Sequence, residues 1–156
     1  MNVGLIIHSQ TGNTLSVAQK LEQKLLESSH SVTVERLQPV AEVRPRAKEV
    51  EFESLPEIDA YDALVFGAPV HAFSLSPAMQ AYLGKLPSLK GKPVACLVTQ
   101  FFPFAWMGGN RAVRQMRKAC EAKGARFCGS GIVHWSRNRE HRSAEVVDRL
   151  SSCFPA

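Results

Sequence analysis

Seven residues near the N-terminus, His8-Ser9-Gln10-Thr11-Gly12-Asn13-Thr14, gather hydroxyls, amides and one glycine in an unbroken polar run. They link the short apolar segment VGLIIH (3–8) to a helical pattern over 14–28, so they form a strand-to-helix turn. A helix N-terminus offers unpaired N–H groups and a partial positive charge, which suits a phosphate. Gly12 lets the backbone curl around an anion without a Cβ clash. The hydroxyls of Ser9, Thr11 and Thr14 and the amide of Asn13 add donors. The run contains no Lys or Arg. It therefore lacks the Gly-Lys-Ser/Thr of a Walker loop, and it also lacks the GxGxxG of dinucleotide-binding folds.

Two further segments stand out by composition. Residues 67–77 read Gly-Ala-Pro-Val-His-Ala-Phe-Ser-Leu-Ser-Pro, and residues 99–109 read Thr-Gln-Phe-Phe-Pro-Phe-Ala-Trp-Met-Gly-Gly. The second places four aromatics within six residues of what reads as a loop, so some of them are expected to stay uncovered. The four cysteines, Cys96, Cys120, Cys128 and Cys153, form no CxxC pair and have no His at ligand spacing, so no metal centre is expected. Free thiols in a reducing compartment are the expected state.

The elements that must hold these segments alternate regularly. Strands are expected at 3–8, 32–37, 63–70, 93–99 and 125–135, and helices at 14–28, 77–86, 109–123 and about 142–153. The first helix is expected to bury Leu15, Ala18, Leu21, Leu25 and Leu26, the third Ala112, Val113, Met116, Ala119 and Cys120, and the last Val146, Val147 and Leu150. Ser76 is a candidate N-cap ahead of Pro77. Residues 38–60, with Pro39, Pro45 and Pro56 among charges, read as one long connection. No Asn-Gly type hairpin signal separates two apolar runs. Strands alternating with helices predict an α/β fold with a parallel sheet covered on both faces, formed by one domain over 1–156. Ligands of such sheets bind beyond the carboxyl ends of the strands, where segments 8–14, 68–76 and 99–109 all fall.

The S-x-T-G-N-T run after a buried first strand resembles the phosphate loop of flavodoxins, which hold the 5′-phosphate of FMN. The resemblance extends from Val3 to about Leu150 and is to the short form of that fold. It implies a flavodoxin-like three-layer sandwich with a five-stranded parallel sheet in order 2-1-3-4-5. It implies FMN as cofactor, with Ser9, Gln10, Thr11, Gly12, Asn13 and Thr14 around its phosphate. By the same resemblance Pro69, Val70, His71, Ala72, Phe73 and Ser74 lie along the flavin ring, with His71 or Phe73 against its face or edge. The loop after the fourth strand completes the pocket, with Thr99, Gln100, Phe101 and Phe102 near the pyrimidine side. Gly108 and Gly109 resemble a turn found in flavin reductases.

Charge departs from that family's electron carriers, which are usually acidic. The chain has a net charge of +5, with −4 in residues 1–78 and +9 in residues 79–156. Arg111, Arg114, Arg117 and Lys118 crowd the third helix. This points to an acidic, ferredoxin-like redox partner docked on a basic rim. The leading expectation is an FMN-binding electron-transfer protein acting as monomer or homodimer. The alternatives are an NAD(P)H-dependent FMN or quinone reductase on the same fold, and a flavin-free regulatory domain. No groove-reading element accompanies the basic face, so nucleic acid is not the expected partner. The longest nearly apolar run, Ala63 to Leu75, is too short to span a bilayer, and the N-terminus lacks a signal-peptide pattern, so the expected compartment is the cytoplasm.

Overall fold

Strand β1 (Asn2–Ile7) sits centrally because its side chains, from Val3 onward, are buried, as the continuous apolar run demands. The computed structural model describes residues 1–44 and 47–156, so Pro45 of the long connection lies outside the described residues. Around β1 the chain lays down α1 (Asn13–Glu27), β2 (Ser31–Arg36), β3 (Ala63–His71), β4 (Ser74–Leu75), α2 (Pro77–Lys85), β5 (Pro93–Gln100), α3 (Gly109–Ala122), β6 (Arg126–His134) and α4 (Arg139–Ser151). The main sheet runs β2-β1-β3-β5-β6, and every neighbouring pair along it is parallel. This is the expected order of five strands.

The two-residue β4 is an addition. It pairs antiparallel with the end of β3, Val70 with Leu75 and His71 with Ser74, outside the parallel path. The hairpin turn is Ala72-Phe73, both at positive φ (51° and 62°), the geometry usually given to Asn-Gly. It escaped notice in the sequence because neither residue advertises that conformation.

Residues of β3 alternate between the two faces of the sheet. Leu64, Phe66 and Ala68 join the core under α2 and α3, and Ala63 and Val65 join the core under α1 and α4. Helix α1 buries Thr14, Val17, Ala18, Leu21 and Leu25. Leu26, expected in the core, is instead 45% exposed, because the stripe passes through Val17 and leaves position 26 beyond its edge. Helix α4 starts at Arg139, three residues before the expected start, with Asn138 in the left-handed region ahead of it. The described residues of the 37–62 crossover form no helix. Within them Pro39 and Phe52 form an antiparallel bridge, and Val40 donates to the Glu51 carbonyl at 2.9 Å. No helix among the described residues is long and apolar enough to cross a membrane.

Candidate functional site

Parallel strands bring their carboxyl ends to one pole, and the three singled-out segments meet there. The first is held by Ser9. Its Oγ accepts from the N–H of Gly12 (3.1 Å) and of Leu15 (3.3 Å), which folds the loop onto the start of α1. Gly12 has φ +90°, a region strained for any side chain, and nothing crowds the place where a Cβ would sit. The N–H groups of Gln10, Thr11, Asn13 and Thr14 have no partner among the described residues, so the turn forms an open cradle of donors. Gln10 and Thr11 are exposed, and Gly12 and Asn13 are half-buried.

Two expected phosphate donors behave differently. Thr14 is buried, and its hydroxyl pairs with that of Thr99 at 2.7 Å, which ties the loop to β5 instead of facing outward. Ser9 shapes the turn through its acceptor pairs. The sequence reading also missed a cation. Arg36, at the end of β2, donates from Nη2 to the Ser9 carbonyl at 2.6 Å and sets a guanidinium behind the loop. Its position as the last residue of a strand, at the ligand-binding pole, was the available signal. Beside the loop lies a cavity of about 730 Å³ lined by His8, Ser9, Gln10, Thr11, Arg36 and residues of the long connection.

His8 closes the back of this region. Its Nδ1 pairs with Ser76 Oγ at 2.9 Å, and Ser76 also caps α2 by accepting from the Met79 N–H. Its ring meets His71 edge to face, with centroids 6.0 Å apart. Burial, then the neighbouring His71 and Arg36, push the His8 pKa down to about 4, and burial also lowers that of His71. Both imidazoles are therefore neutral at pH 7.

The second and third segments touch each other. Gly108 has φ +117°, and a Cβ there would run into Val70 and the backbone of Phe73. The glycine allows the aromatic loop to close on the hairpin. Phe73 and Phe102 lie nearly parallel, 9° apart with centroids at 6.1 Å, while Phe104 stacks on Trp106. Gln100 is buried at the end of β5, and its Nε2 donates to the carbonyls of Phe102 (2.7 Å) and Phe104 (2.6 Å), which fixes the loop's shape. Ser74 donates to Gln115 Oε1 of α3 at 3.0 Å. Pro69 pairs in register with Thr99 inside the sheet, Ala72 forms the turn, and Phe101 crosses Phe102 edge to face. Gly109 begins α3 against Gln100.

The aromatic loop did not fold back onto the sheet. Phe73, Phe101, Phe102, Phe104 and Trp106 make up most of the large hydrophobic side chains that stay exposed, and Trp106 is 74% exposed. Such a concentration on two adjoining loops marks a surface that contacts something flat or apolar. Among the described residues, the buried side-chain polar atoms lacking a partner are His71 Nδ1 and Gln100 Oε1, one in each of these segments. Each is a buried polar atom left unsatisfied near the pole where the segments meet. A cradle of N–H donors beside paired aromatic loops fits an anion joined to a flat heteroaromatic ring.

A family model described as NADPH-dependent FMN reductase matches residues 1–140. No curated protein matches the chain significantly. Among solved structures, the chain superposes on oxidised Flavodoxin 2 from Bacillus cereus with a TM-score of 0.73 at 19% identity, covering 99% of this chain and 97% of that one. A cysteine-to-serine mutant of flavodoxin from Pseudomonas aeruginosa gives 0.71 at 17% identity, with 99% of each chain covered. A flavoprotein in complex with FMN from Lactobacillus acidophilus NCFM gives 0.67 at 12% identity, covering 96% and 98%. At these identities the likeness is one of fold.

Proposed function

The chain belongs to the NADPH-dependent FMN reductase family, and from that premise we propose that it acts as one domain holding one FMN and passing electrons through it to a partner protein. The observation that carries this reading is the cradle of unpaired N–H groups at residues 10–14, set beside two loops of exposed aromatics. The phosphate would be held by those N–H groups, the Thr11 hydroxyl and the positive end of α1, with Arg36 behind them. The neutral imidazoles of His8 and His71 add no charge there. The ring would lie against residues 69–73 and 99–102, where Phe73 and Phe102 offer aromatic faces. When bound, the cofactor accepts and releases the electrons. The protein's part is to fix its position and set its surroundings.

The partner side follows from charge. Arg111, Arg114 and Lys118 are exposed on α3, which starts directly after the aromatic loop. Spacings of three and four bring them onto one helical face. A basic rim next to an apolar patch suits an acidic, ferredoxin-like protein in transient contact, and the four free thiols fit a cytoplasmic setting.

The second reading, direct reduction by NADPH, is favoured by the family model's match over most of the chain. One experiment separates the two. FMN-loaded protein is mixed anaerobically with NADPH and its flavin absorbance followed. Slow or absent bleaching, with rapid bleaching by a reduced ferredoxin, supports the carrier. Rapid bleaching by NADPH alone supports the reductase.

A further inference from the structure

At the opposite pole, two cysteines far apart in sequence come together. Between Val94 and Ala95 the register of β6 on β5 slips by one residue, from Phe127 opposite Val94 to Gly129 opposite Ala95. Cys128 is the extra residue of this bulge, and its Sγ donates to the Val94 carbonyl at 3.3 Å. The next residue, Gly129, has no side chain, and Cys153 Sγ occupies that space, 2.9 Å from where a Cβ would lie. Cys153 Sγ therefore lies against the residue next to Cys128, on the bulged stretch of β6.

Cys153 is held in place by its neighbours. Phe154 is buried in the core under α1 and α4, and its carbonyl pairs with His30 Nε2 at 2.6 Å. Cys128 is exposed and Cys153 half-buried, so a small reagent can reach them. The other cysteines, Cys96 and Cys120, lie in the shared core under α2 and α3 and are wholly buried. Proximity and access coincide at the 128–153 pair.

We propose that Cys128 and Cys153 are a dithiol that a low-molecular-weight disulfide of the glutathione type converts to an intrachain disulfide, stapling the C-terminal end of α4 to strand β6. Cys153 gives up its proton to water, and its sulfur attacks one sulfur of the reagent. The reagent's S–S bond breaks, and one thiolate leaves with the bonding pair and takes up a proton. The Cys128 sulfur, losing its proton to water, then attacks Cys153 Sγ of the mixed disulfide and displaces the second thiolate. Two protein thiols are oxidised to one disulfide, and the reagent is reduced to two thiols. Burial, and after it the nearby Cys153, push the Cys128 thiol up to about 12, so Cys128 stays protonated and donating to the Val94 carbonyl while Cys153 makes the first attack. The pair lies away from the strand ends that carry the candidate flavin loops, so it stands independently of the flavin reading.

The test uses the full chain loaded with FMN and treated with oxidised glutathione. Acid quenching, alkylation after unfolding and peptide mapping without reductant follow. The expected product has lost two hydrogens, carries a Cys128–Cys153 link, and retains alkylated Cys96 and Cys120. Cys128→Ser should stop at a single glutathione adduct on Cys153, and Cys153→Ser should stop at a single, more slowly formed adduct on Cys128. Four alkylatable thiols, glutathione on both cysteines without a link, or a Cys96–Cys120 link would each overturn the proposal. The map of the unaltered chain decides the matter even where a variant fails to fold.

Discussion

Thr11 is exposed on the loop that fits a phosphate, and unlike Thr14 its hydroxyl is not engaged by another side chain. Thr11→Val keeps the shape and removes one donor to a charged group, an interaction worth about 1.5–3 kcal/mol. FMN affinity should therefore fall about tenfold or more while riboflavin affinity holds, as measured by fluorescence titration of both. A parallel loss for riboflavin would place the phosphate elsewhere. His8 sets a pH dependence. Its folded pKa of about 4 lies below the ordinary 6.5, because burial and then His71 and Arg36 disfavour the charged ring. Between these values the unfolded chain binds the extra proton and the folded one does not. The stabilisation is thus complete above pH 6.5 and is lost as pH falls toward 4, by about 3 kcal/mol. Urea melts of the unaltered protein should show this slope, and His8→Asn, which keeps a polar atom toward Ser76, should flatten it. An unchanged slope in the variant would assign the acid sensitivity to other groups.

The elements were largely legible because hydrophobic period reports burial directly. VGLIIH and ALVFGAPV could be read as buried strands since both faces of the sheet are covered, and Ser76-Pro77 announced α2 by cap chemistry. The register of α1 was less legible. Leu26 looks like core by type, yet geometry gives that face to Val17 and Thr14. The hairpin at 70–75 was invisible, since Ala72 and Phe73 adopt positive φ against their own preference and are held there by surrounding contacts, including Leu75 N–H to Gln115 Oε1 at 2.8 Å. A left-handed alanine costs about 1–2 kcal/mol, and asparagine tolerates that region better. Ala72→Asn should therefore raise stability by up to about 1 kcal/mol in denaturant melts and leave Phe73 in place. Destabilisation would mean that the turn is not strained as its φ values imply. The phosphate loop was readable as a local run, whereas Arg36 and the Thr14–Thr99 pair, joined across the sheet, needed the fold to appear.

Across the whole molecule, charge is divided as the sequence halves divide it, because α3, β6 and α4 all come from the basic second half. Part of that charge is engaged locally. Arg117 pairs with Glu121 at 3.2 Å and covers the Phe127 ring, and Arg142 pairs with Glu145. Arg111, Arg114 and Lys118 enter no ion pair among the described residues and lie on the helix that follows the aromatic loop. Replacing all three by Glu should slow electron exchange with an acidic donor at low salt, with the difference shrinking as salt rises and FMN affinity unchanged. Equal rates at low ionic strength would remove the basic rim from partner docking. Everything in this functional reading rests on the cofactor. The most direct measurement incubates the purified chain separately with FMN and with riboflavin, desalts each sample and records the visible spectrum against protein concentration. One retained FMN per chain, with riboflavin washed out, is the expected result; a colourless protein, or equal retention of both, would contradict it.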